Sequence, residues 1–284
     1  NDVSSGENTE PDTTDVESDT PDTSDTTAPV TEDATDTLPP TEEGTTFTCS
    51  VRGENMVITG YTGTASRVVI PGEIDGKPVT AIASSAFREN ATVTSVYLPD
   101  SVTEIGDSAF YGCPNLTAVY LGKAAKIGSY AFYNCFKLSE VELDRVTSVG
   151  SSAFYGTPWM SAQQEAAAYV VIGDGVLLKY VGRDSEAVIP SGVKSMTNAF
   201  YFDNRVTSVV LPDTMERIGI FAFCSCTQLR SITIPESVTE IDAQAIYQCA
   251  ALTEIHVKRG SYADQWLTEY GYDALAVYDE TAES

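Results

Sequence analysis

The side chains that most often carry chemistry are few and scattered in this sequence. His256 is the only histidine, so a metal site built from several histidines is excluded, and a serine or cysteine nucleophile would have to use this residue as its base. Carboxylates are plentiful, and a pair of them can form a hydrolase site, but here they are spread over the chain and imply no enclosed pocket. We therefore expect no enzyme activity and no cofactor, and we interpret His256 as a surface residue of a strand.

The six cysteines are spaced in a way that favours packing over cross-linking. Four of them lie three residues beyond a recurring Phe or its substitute: Cys113, Cys135, Cys226 and Cys249. A small, soft side chain packs well in such an inward column, although adjacent members would be close enough for a disulfide bond. We expect free buried thiols there, and the sequence indicates no evident partner for Cys49 or Cys224.

Tyrosines recur with a spacing that could build a binding surface. One tyrosine directly follows most copies of a recurring Ala-Phe pair: Tyr111, Tyr133, Tyr155, Tyr201 and Tyr247. Flat amphipathic rings in one row suit sugar rings or extended peptides, and the alternative is a structural ladder in which the rings pack on one another. A second exposed row, along predicted strands, comprises Tyr97, Tyr120, Glu142, Val210, Thr233 and His256. Its mixed chemistry favours a protein partner over a repetitive ligand.

The elements that would position these side chains are sequence repeats. The pair recurs at Ala86-Phe87, Ala109-Phe110, Ala131-Phe132, Ala153-Phe154, Ala199-Phe200 and Ala222-Phe223, with Ala245-Ile246 as a degenerate copy. Successive copies are 23, 22, 22, 46, 23 and 23 residues apart, so one interval holds two repeat lengths. In one unit Val96 and Leu98 alternate with exposed neighbours as in a short strand, and Gly106 is expected to allow a tight turn. Units this short must stack on one another to bury their apolar side chains, which predicts a solenoid with one parallel strand per coil.

The units resemble the BspA-like, treponemal-type leucine-rich repeat family. The resemblance rests on the pattern Ile-Gly-x-x-Ala-Phe-x-x-Cys-x-x-Leu, which stands at Ile127 to Leu138 and recurs over roughly residues 66–259. It implies an α/β repeat solenoid of stacked short parallel β-strands with turn-rich or short helical returns, capped at both ends. Members of the family are commonly bacterial cell-surface or secreted proteins linked with adhesion, so the resemblance also implies a host or bacterial surface protein as partner.

Composition and repeats divide the chain into four segments. Residues 1–45 hold 14 Asp or Glu, no Lys or Arg and almost nothing large and apolar, which predicts a disordered acidic tether rich in Thr, Asp, Glu, Pro and Ser. We predict an N-terminal β-hairpin cap at 46–66, the solenoid at 67–259, and a C-terminal cap and tail at 260–284, where Tyr262, Trp266 and Tyr270 have helical spacing. A hairpin insertion at about 160–190, turning at 173–175, is expected to replace one outer segment while the stack continues.

The charge of the chain excludes some partners. The formal net charge is −25, and 27 acidic against 16 basic residues remain in 46–284, so we expect no nucleic-acid binding. No apolar run approaches the length of a membrane span, so we expect no direct insertion of this segment into a membrane. A self-repelling acidic tether suits a head displayed on the cell surface through a removed or lipidated N-terminal segment, and a solubilising tail is the alternative.

The sequence thus predicts a non-enzymatic, adhesin-like recognition protein of the cell surface that binds a protein partner through the solenoid. Two alternatives stay open. The first is a glycan-binding module that uses the tyrosine row, for which we expect weak binding to polysaccharide. The second is a structural spacer without a ligand of its own.

Overall fold

A computed structural model of the protein describes residues 42–278. Most of the predicted acidic tether, residues 1–41, and the end of the predicted C-terminal tail, residues 279–284, lie outside this range. Within it, short parallel strands stack from coil to coil, which confirms the predicted repeat solenoid. An insertion divides the coils into an N-terminal and a C-terminal half.

The N-terminal half is built from two sheets of short strands. In chain order, its strands among the described residues are β1 (Phe47–Arg52), β2 (Asn55–Tyr61), β3 (Arg67–Val69), β4 (Glu73–Ile74), β5 (Lys77–Ile82), β6 (Ser95–Tyr97), β7 (Glu104–Ile105), β8 (Ala118–Tyr120), β9 (Lys126–Ile127), β10 (Glu140–Val141) and β11 (Ser148–Val149). One sheet starts with the antiparallel pair β1 and β2 and continues in parallel through β5, β7, β9 and β11, with β4 antiparallel to β5. The other is the parallel series β3, β6, β8 and β10.

The insertion consists of a helix followed by a hairpin. The helix α1 (Pro158–Ala166) precedes the antiparallel strands β12 (Tyr169–Ile172) and β13 (Val176–Tyr180), whose turn lies at 173–175. The Thr157 hydroxyl accepts a hydrogen bond of 3.1 Å from the Met160 N–H, and Pro158 occupies the first turn, so α1 begins with two favourable residues. The predicted insertion contains only the hairpin, and α1 is an addition to it.

The C-terminal half repeats the two-sheet arrangement. In chain order, its elements are β14 (Glu186–Val188), β15 (Ser195–Met196), β16 (Ser208–Val210), β17 (Arg217–Ile218), β18 (Ser231–Thr233), β19 (Glu240–Ile241), β20 (Glu254–Val257), helix α2 (Tyr262–Glu269), a 3₁₀ turn (Asp273–Leu275) and β21 (Ala276–Tyr278). The strands β13, β15, β17 and β19 pair in parallel, as do β14, β16, β18, β20 and β21. Trp266 and Leu267 of α2 are buried in the core of this half.

Both parallel ladders stop at the insertion and start again after it, although Val170, Val176 and Leu178 of the hairpin pack in the core of the N-terminal half. The strands β10 and β11 end the first pair of sheets, and the second pair begins with β14 and with the hairpin that contains β13. Individual hydrogen bonds join the halves across the break. The Asp174 N–H donates to the Val146 carbonyl (2.8 Å), and the Arg217 guanidinium donates to the Thr147 carbonyl (3.1 Å). The helix α1 lies in the interval where another regular coil would otherwise continue the ladder.

Stacked aromatic rings form the axis of each half. In the N-terminal half the fully buried members are Phe87, Phe110, Phe132 and Phe154. Trp159 of α1 packs on Phe154 with ring centroids 4.9 Å apart and ends this stack. In the C-terminal half Tyr180 takes the place of a repeat Phe, since its ring lies 5.0 Å from Phe200 and its N–H donates to the Ala199 carbonyl of the next coil. The Phe period therefore positions the core, as the sequence indicates.

The return of each coil carries a third ladder of backbone hydrogen bonds. In the return around Phe110, the N–H groups of Ser108, Phe110 and Gly112 donate to carbonyls of the next coil, each at 2.8 Å. The residues two before each Phe have left-handed backbone, namely Ser85, Ser108, Tyr130, Ser152, Asn198 and Phe221. So do the residues two after each Phe or its substitute, namely Glu89, Gly112, Asn134, Gly156, Phe202, Ser225 and Gln248. This regular geometry satisfies the backbone groups of the returns.

Each coil also has a second strand, of two residues in the regular coils, which the predicted single strand per coil omits. These strands end next to Gly106, Gly128 and Gly150. A Cβ on Gly106 would lie 2.5 Å from the Ser84 nitrogen, and one on Gly128 would lie 2.5 Å from the Asp107 nitrogen. A glycine is therefore required at position 106 by the close approach of neighbouring coils, and not by a tight turn as the sequence analysis predicts.

Candidate binding surface

The residue after each Phe lies on the return, and in the N-terminal half these residues stack. The rings of Tyr111 and Tyr133 are 5.2 Å apart and those of Tyr133 and Tyr155 are 5.0 Å apart, with planes within 16° of parallel. Arg88 holds the same position in the preceding coil, and its guanidinium lies 4.1 Å from the Tyr111 ring centroid. We call these four residues the tyrosine ladder. Its ring faces cover one another, so it presents edges and hydroxyls, except at the exposed end formed by Tyr155.

The predicted row of five tyrosines does not continue into the C-terminal half. Tyr201 and Tyr247 are exposed, but both lie beyond the insertion, and the buried Cys224 occupies the equivalent position between them. Tyr201 packs edge-on against Phe202 with ring centroids 4.6 Å apart. The row is therefore split, because the insertion interrupts the stack and Cys224 replaces a ring.

The second predicted row is divided at the same place. In the N-terminal half Tyr97 and Tyr120 are register partners, with rings 4.5 Å apart and 11° from parallel. The Tyr120 hydroxyl donates to Glu140 (3.2 Å), and Glu142 is exposed just after β10. In the C-terminal half, neighbouring strands place side by side Val210, Thr233 and His256. Because the sheets are interrupted, these six residues form two short rows instead of one.

His256 lies half-buried in β20. Its Nε2 is 3.6 Å from a carboxylate oxygen of Glu254 in the same strand. Within residues 42–278 no group of three or more His, Cys, Asp or Glu side chains could hold a metal ion. No helix in that range is both long enough and apolar enough to cross a membrane. The surroundings of His256 are thus those of a residue paired with a surface carboxylate.

The inward column of cysteines is built as a series of thiol-to-carbonyl contacts. The thiols of Cys113, Cys135 and Cys226 are buried, and Cys249 is half-buried. Each Sγ lies 2.9–3.0 Å from the carbonyl oxygen of the Phe in the preceding coil, to which it donates. The neighbouring Cys113 thiol and burial together raise the pKa of Cys135. All six cysteines, including the exposed Cys49 and the buried Cys224, are free.

A cavity of about 420 Å³ lies at the insertion, where the aromatic stack is interrupted. Its lining includes Tyr155 from the tyrosine ladder, Met160 and Gln164 from α1, Lys179 from β13, and Asn198 and Tyr201 from the next coil. The sequence pattern names Tyr155 and Tyr201 only as members of the tyrosine row. It does not predict the other lining residues as part of a site, because they come from separate segments that share no motif. The one available signal is the long interval between Phe154 and Phe200.

The stacked coils with a short strand, a tight return and a buried Leu or Phe column define a leucine-rich-repeat solenoid. Proteins of this class are generally non-enzymatic modules for protein interaction. The model of the BspA type leucine rich repeat region matches residues 67–168 and 194–265, in six copies. The chain belongs to this family, as its sequence pattern indicates. Comparison with curated proteins found no match.

Solved structures of bacterial leucine-rich repeat proteins are similar to this chain. The leucine-rich repeat protein of T. pallidum is 23% identical, with a TM-score of 0.41, and the match covers 84% of this chain and 97% of that one. A leucine-rich cell surface protein of Faecalibacterium prausnitzii is 21% identical, with a TM-score of 0.29, and the match covers 87% and 96%. A leucine-rich repeat protein of Bacteroides ovatus is 19% identical, with a TM-score of 0.42 and coverage of 87% and 80%.

Proposed function

We propose that this chain is a non-enzymatic, adhesin-like recognition protein, displayed on the cell surface, that binds a protein partner through the solenoid. The observation that carries the proposal is the exposed aromatic surface on the returns of the N-terminal half. Beside the tyrosine ladder, Tyr130 is 40% exposed and Phe136 is 64% exposed, while Tyr155 at the end of the ladder is 61% exposed. Aromatic side chains are enriched in protein interfaces, where they contribute large contact areas at small entropic cost.

The stacking in the ladder favours a protein partner over a glycan. A sugar ring packs on the face of an aromatic ring, but the faces of Tyr111 and Tyr133 are covered by their neighbours and by Arg88. Only the outer face of Tyr155 is open, which leaves a single platform instead of a row. The exposed edges and hydroxyls suit the mixed polar and apolar contacts of a protein interface.

The surface location rests on the composition of the N-terminal segment. Residues 1–45 combine 14 acidic residues with many Thr and Ser and no basic residue, as expected for an extended tether between an anchor and a folded head. Such a tether would hold the binding surface away from the cell. We propose an anchor through a removed or lipidated segment that precedes the tether.

The proposal is tested by binding of the full chain to arrays of host matrix proteins and of bacterial and host glycans. We call Tyr130, Phe136 and Tyr155 the return surface. The first variant removes it by Tyr130→Ser, Phe136→Ser and Tyr155→Ser. Serine already occupies the position of Tyr130 in other coils, for example at Ser108 and Ser152, so this change preserves the fold. The matched control, Tyr262→Ser with Tyr270→Ser, removes two similarly exposed rings from the region of α2.

We expect a protein hit whose affinity falls at least about tenfold in the return-surface variant and stays unchanged in the control. A second variant alters the second row, which runs along the strands, by Tyr97→Thr, Tyr120→Thr and Glu142→Lys. If this variant loses binding and the return-surface variant does not, the binding site lies on the strands. A glycan hit that depends on the return surface would replace the proposal with the glycan-binding alternative. Absence of any hit would contradict recognition and favour a spacer.

A further inference from the structure

The cavity at the insertion is a feature that a regular solenoid lacks. In regular coils the ring of one coil packs on the ring of the next, so no space is left between them. At the insertion Trp159 covers Phe154, and the next stack begins with Tyr169 on Tyr180. Beside Phe154, the helix α1, the hairpin and the next coil leave a cavity of about 420 Å³, which is within the range of small-molecule sites.

The walls of the cavity are apolar and aromatic. Val149, Phe154 and Leu178 form part of the lining, and Tyr155, Tyr201 and Phe202 bring three further rings to it. Phe202 is 58% exposed although it is fully apolar. Such walls suit an apolar body of about the size of an aromatic side chain.

One charged group in the lining lacks an adequate partner. Lys179 is half-buried, and the only hydrogen bond of its ammonium group among residues 42–278 is a long one, 3.4 Å, to the Tyr201 carbonyl. Asn198 also lines the cavity, but its Oδ1 atom is fully buried, so no group in the cavity reaches that atom.

The charge of the lining is opposite to that of the protein as a whole. No Asp or Glu is among the described residues that line the cavity, whereas Lys179 is. Asp203 lies near enough to raise the pKa of Lys179, against the larger lowering that burial causes. However, both carboxylate oxygens of Asp203 are bound by the Arg205 side chain, at 3.3 and 2.7 Å. Among residues 42–278 the carboxylate that acts on Lys179 is therefore one already paired with Arg205.

We propose that this cavity binds a small apolar carboxylic acid, whose carboxylate pairs with Lys179 and whose apolar body lies among Tyr155, Tyr201 and Phe202. An N-acylated aromatic amino acid has both features. This site goes beyond the proposed protein recognition and shares Tyr155 with it. Variants at Lys179 leave Tyr130, Phe136 and Tyr155 in place, so the failure of either proposal is distinguishable from the failure of the other.

The test uses the full chain and three matched probes. N-acetylphenylalanine carries the carboxylate and the ring; its amide lacks the charge, and N-acetylglycine lacks the ring. Binding is measured by calorimetry and is located by the ¹³C-methyl signals of the four methionines. Of these, Met160 is the one in the described lining, so its signal must move on binding while the buried Met56 and Met215 signals stay in place.

We expect N-acetylphenylalanine to bind with a Kd of about 1 mM or tighter, and the other two probes to bind at least about tenfold more weakly. Lys179→Met should remove the preference for the carboxylate over the amide, and Lys179→Arg should retain it. Lys126→Met, at an exposed position of β9, is the matched control and should change nothing. Equal binding of acid and amide, or an unchanged Kd in Lys179→Met, would overturn the proposal, as would a lack of binding by all probes.

A pentapeptide of four glycines and a C-terminal phenylalanine distinguishes a free acid from a chain end. Tighter binding of that peptide than of N-acetylphenylalanine would assign the cavity to a protein terminus and contradict the small-molecule proposal.

Discussion

The ring of Phe110 lies on that of Phe132, with centroids 5.3 Å apart and planes 5° from parallel. The same relationship links each Phe of the N-terminal half to the next, from Phe87 to Phe154. Because every ring is covered by a neighbour on both sides, the stability of one coil depends on the coils beside it. This coupling is the physical basis of a solenoid, in which no repeat folds alone.

Phe132→Ala should therefore be severely destabilising. Phe132 is fully buried between two rings, so its truncation leaves a cavity and removes contacts with both neighbours. We expect the free energy of unfolding to fall by about 3–5 kcal/mol, measured by urea titration. Phe136→Ala, four residues along and 64% exposed, is the control and should change it by less than about 0.5 kcal/mol. A small effect at Phe132 would mean that the stack does not carry the stability of the fold.

Two glycines with ordinary backbone conformation should respond in opposite ways to alanine. At Gly128 a Cβ would meet the Asp107 nitrogen at 2.5 Å, so Gly128→Ala must push two coils apart, at a cost of about 1–3 kcal/mol. At Gly72 the nearest atom would be 3.8 Å away, and Gly72→Ala should be neutral or slightly stabilising, because it reduces the freedom of the unfolded chain. Thermal unfolding of both variants tests this difference, and an equal effect would contradict the close approach of the coils at Gly128.

The period of the Ala-Phe pair is sufficient to predict the stack, the inward cysteines and the parallel strands. It succeeds because the same few side chains, such as Phe110 and Cys113, are buried in the same way in each coil. The second strand of each coil is harder to predict, because a strand of two residues, such as Glu104–Ile105, is too short to show an alternating pattern. The helix α1 has a usable signal in Thr157 and Pro158, which together are typical of a helix start.

The candidate sites depend on features that no single repeat contains. The tyrosine ladder follows from the period, but its end at Tyr155 is set by the insertion. Likewise, the sequence shows Lys179 only as one polar residue in an otherwise apolar strand. Its half-buried place in the cavity lining cannot be predicted from that pattern, because it depends on how the hairpin packs on the next coil. Interruptions of a repeat are therefore where the sequence pattern predicts least and where we place the new site.

Chemical labelling of the thiols should separate Cys49 from the inward column. Cys49 is exposed, whereas the thiols of Cys113, Cys135 and Cys226 are buried and bonded to carbonyls. We expect one fast reaction in the native protein, lost in Cys49→Ser, and slow reaction of the buried thiols that is limited by unfolding. In denaturant without reductant all six cysteines should react. A lower number in denaturant would reveal a disulfide bond and contradict the free column.

Asp203 makes the stability of the C-terminal half depend on pH. Asp203 lies three residues beyond Phe200, at the inward position that Cys226 occupies in the next coil. The Asp203 side chain is only 3% exposed. Burial by itself would raise the pKa of Asp203, but hydrogen bonds from the Arg205 side chain and from the N–H groups of Arg205 and Val206 lower it below its usual value. Because the folded pKa is the lower one, the carboxylate stabilises the fold above the unfolded pKa of about 3.9, and this contribution is lost as the pH falls towards the folded pKa.

Asp203→Asn isolates the charge, because an asparagine can make the same turn. At the equivalent position Asn90 accepts bonds of 2.9 Å from the N–H groups of Thr92 and Val93, as Asp203 Oδ1 does from Arg205 and Val206. We expect the variant to lose about 1–2 kcal/mol of unfolding free energy at pH 7. The loss is modest because the Arg205 side chain is half exposed to solvent. We expect the difference from wild type to shrink below about pH 4. Asp213→Asn, at an exposed position, is the control. A loss that persists unchanged at low pH would show that the turn, and not the charge of Asp203, had been damaged.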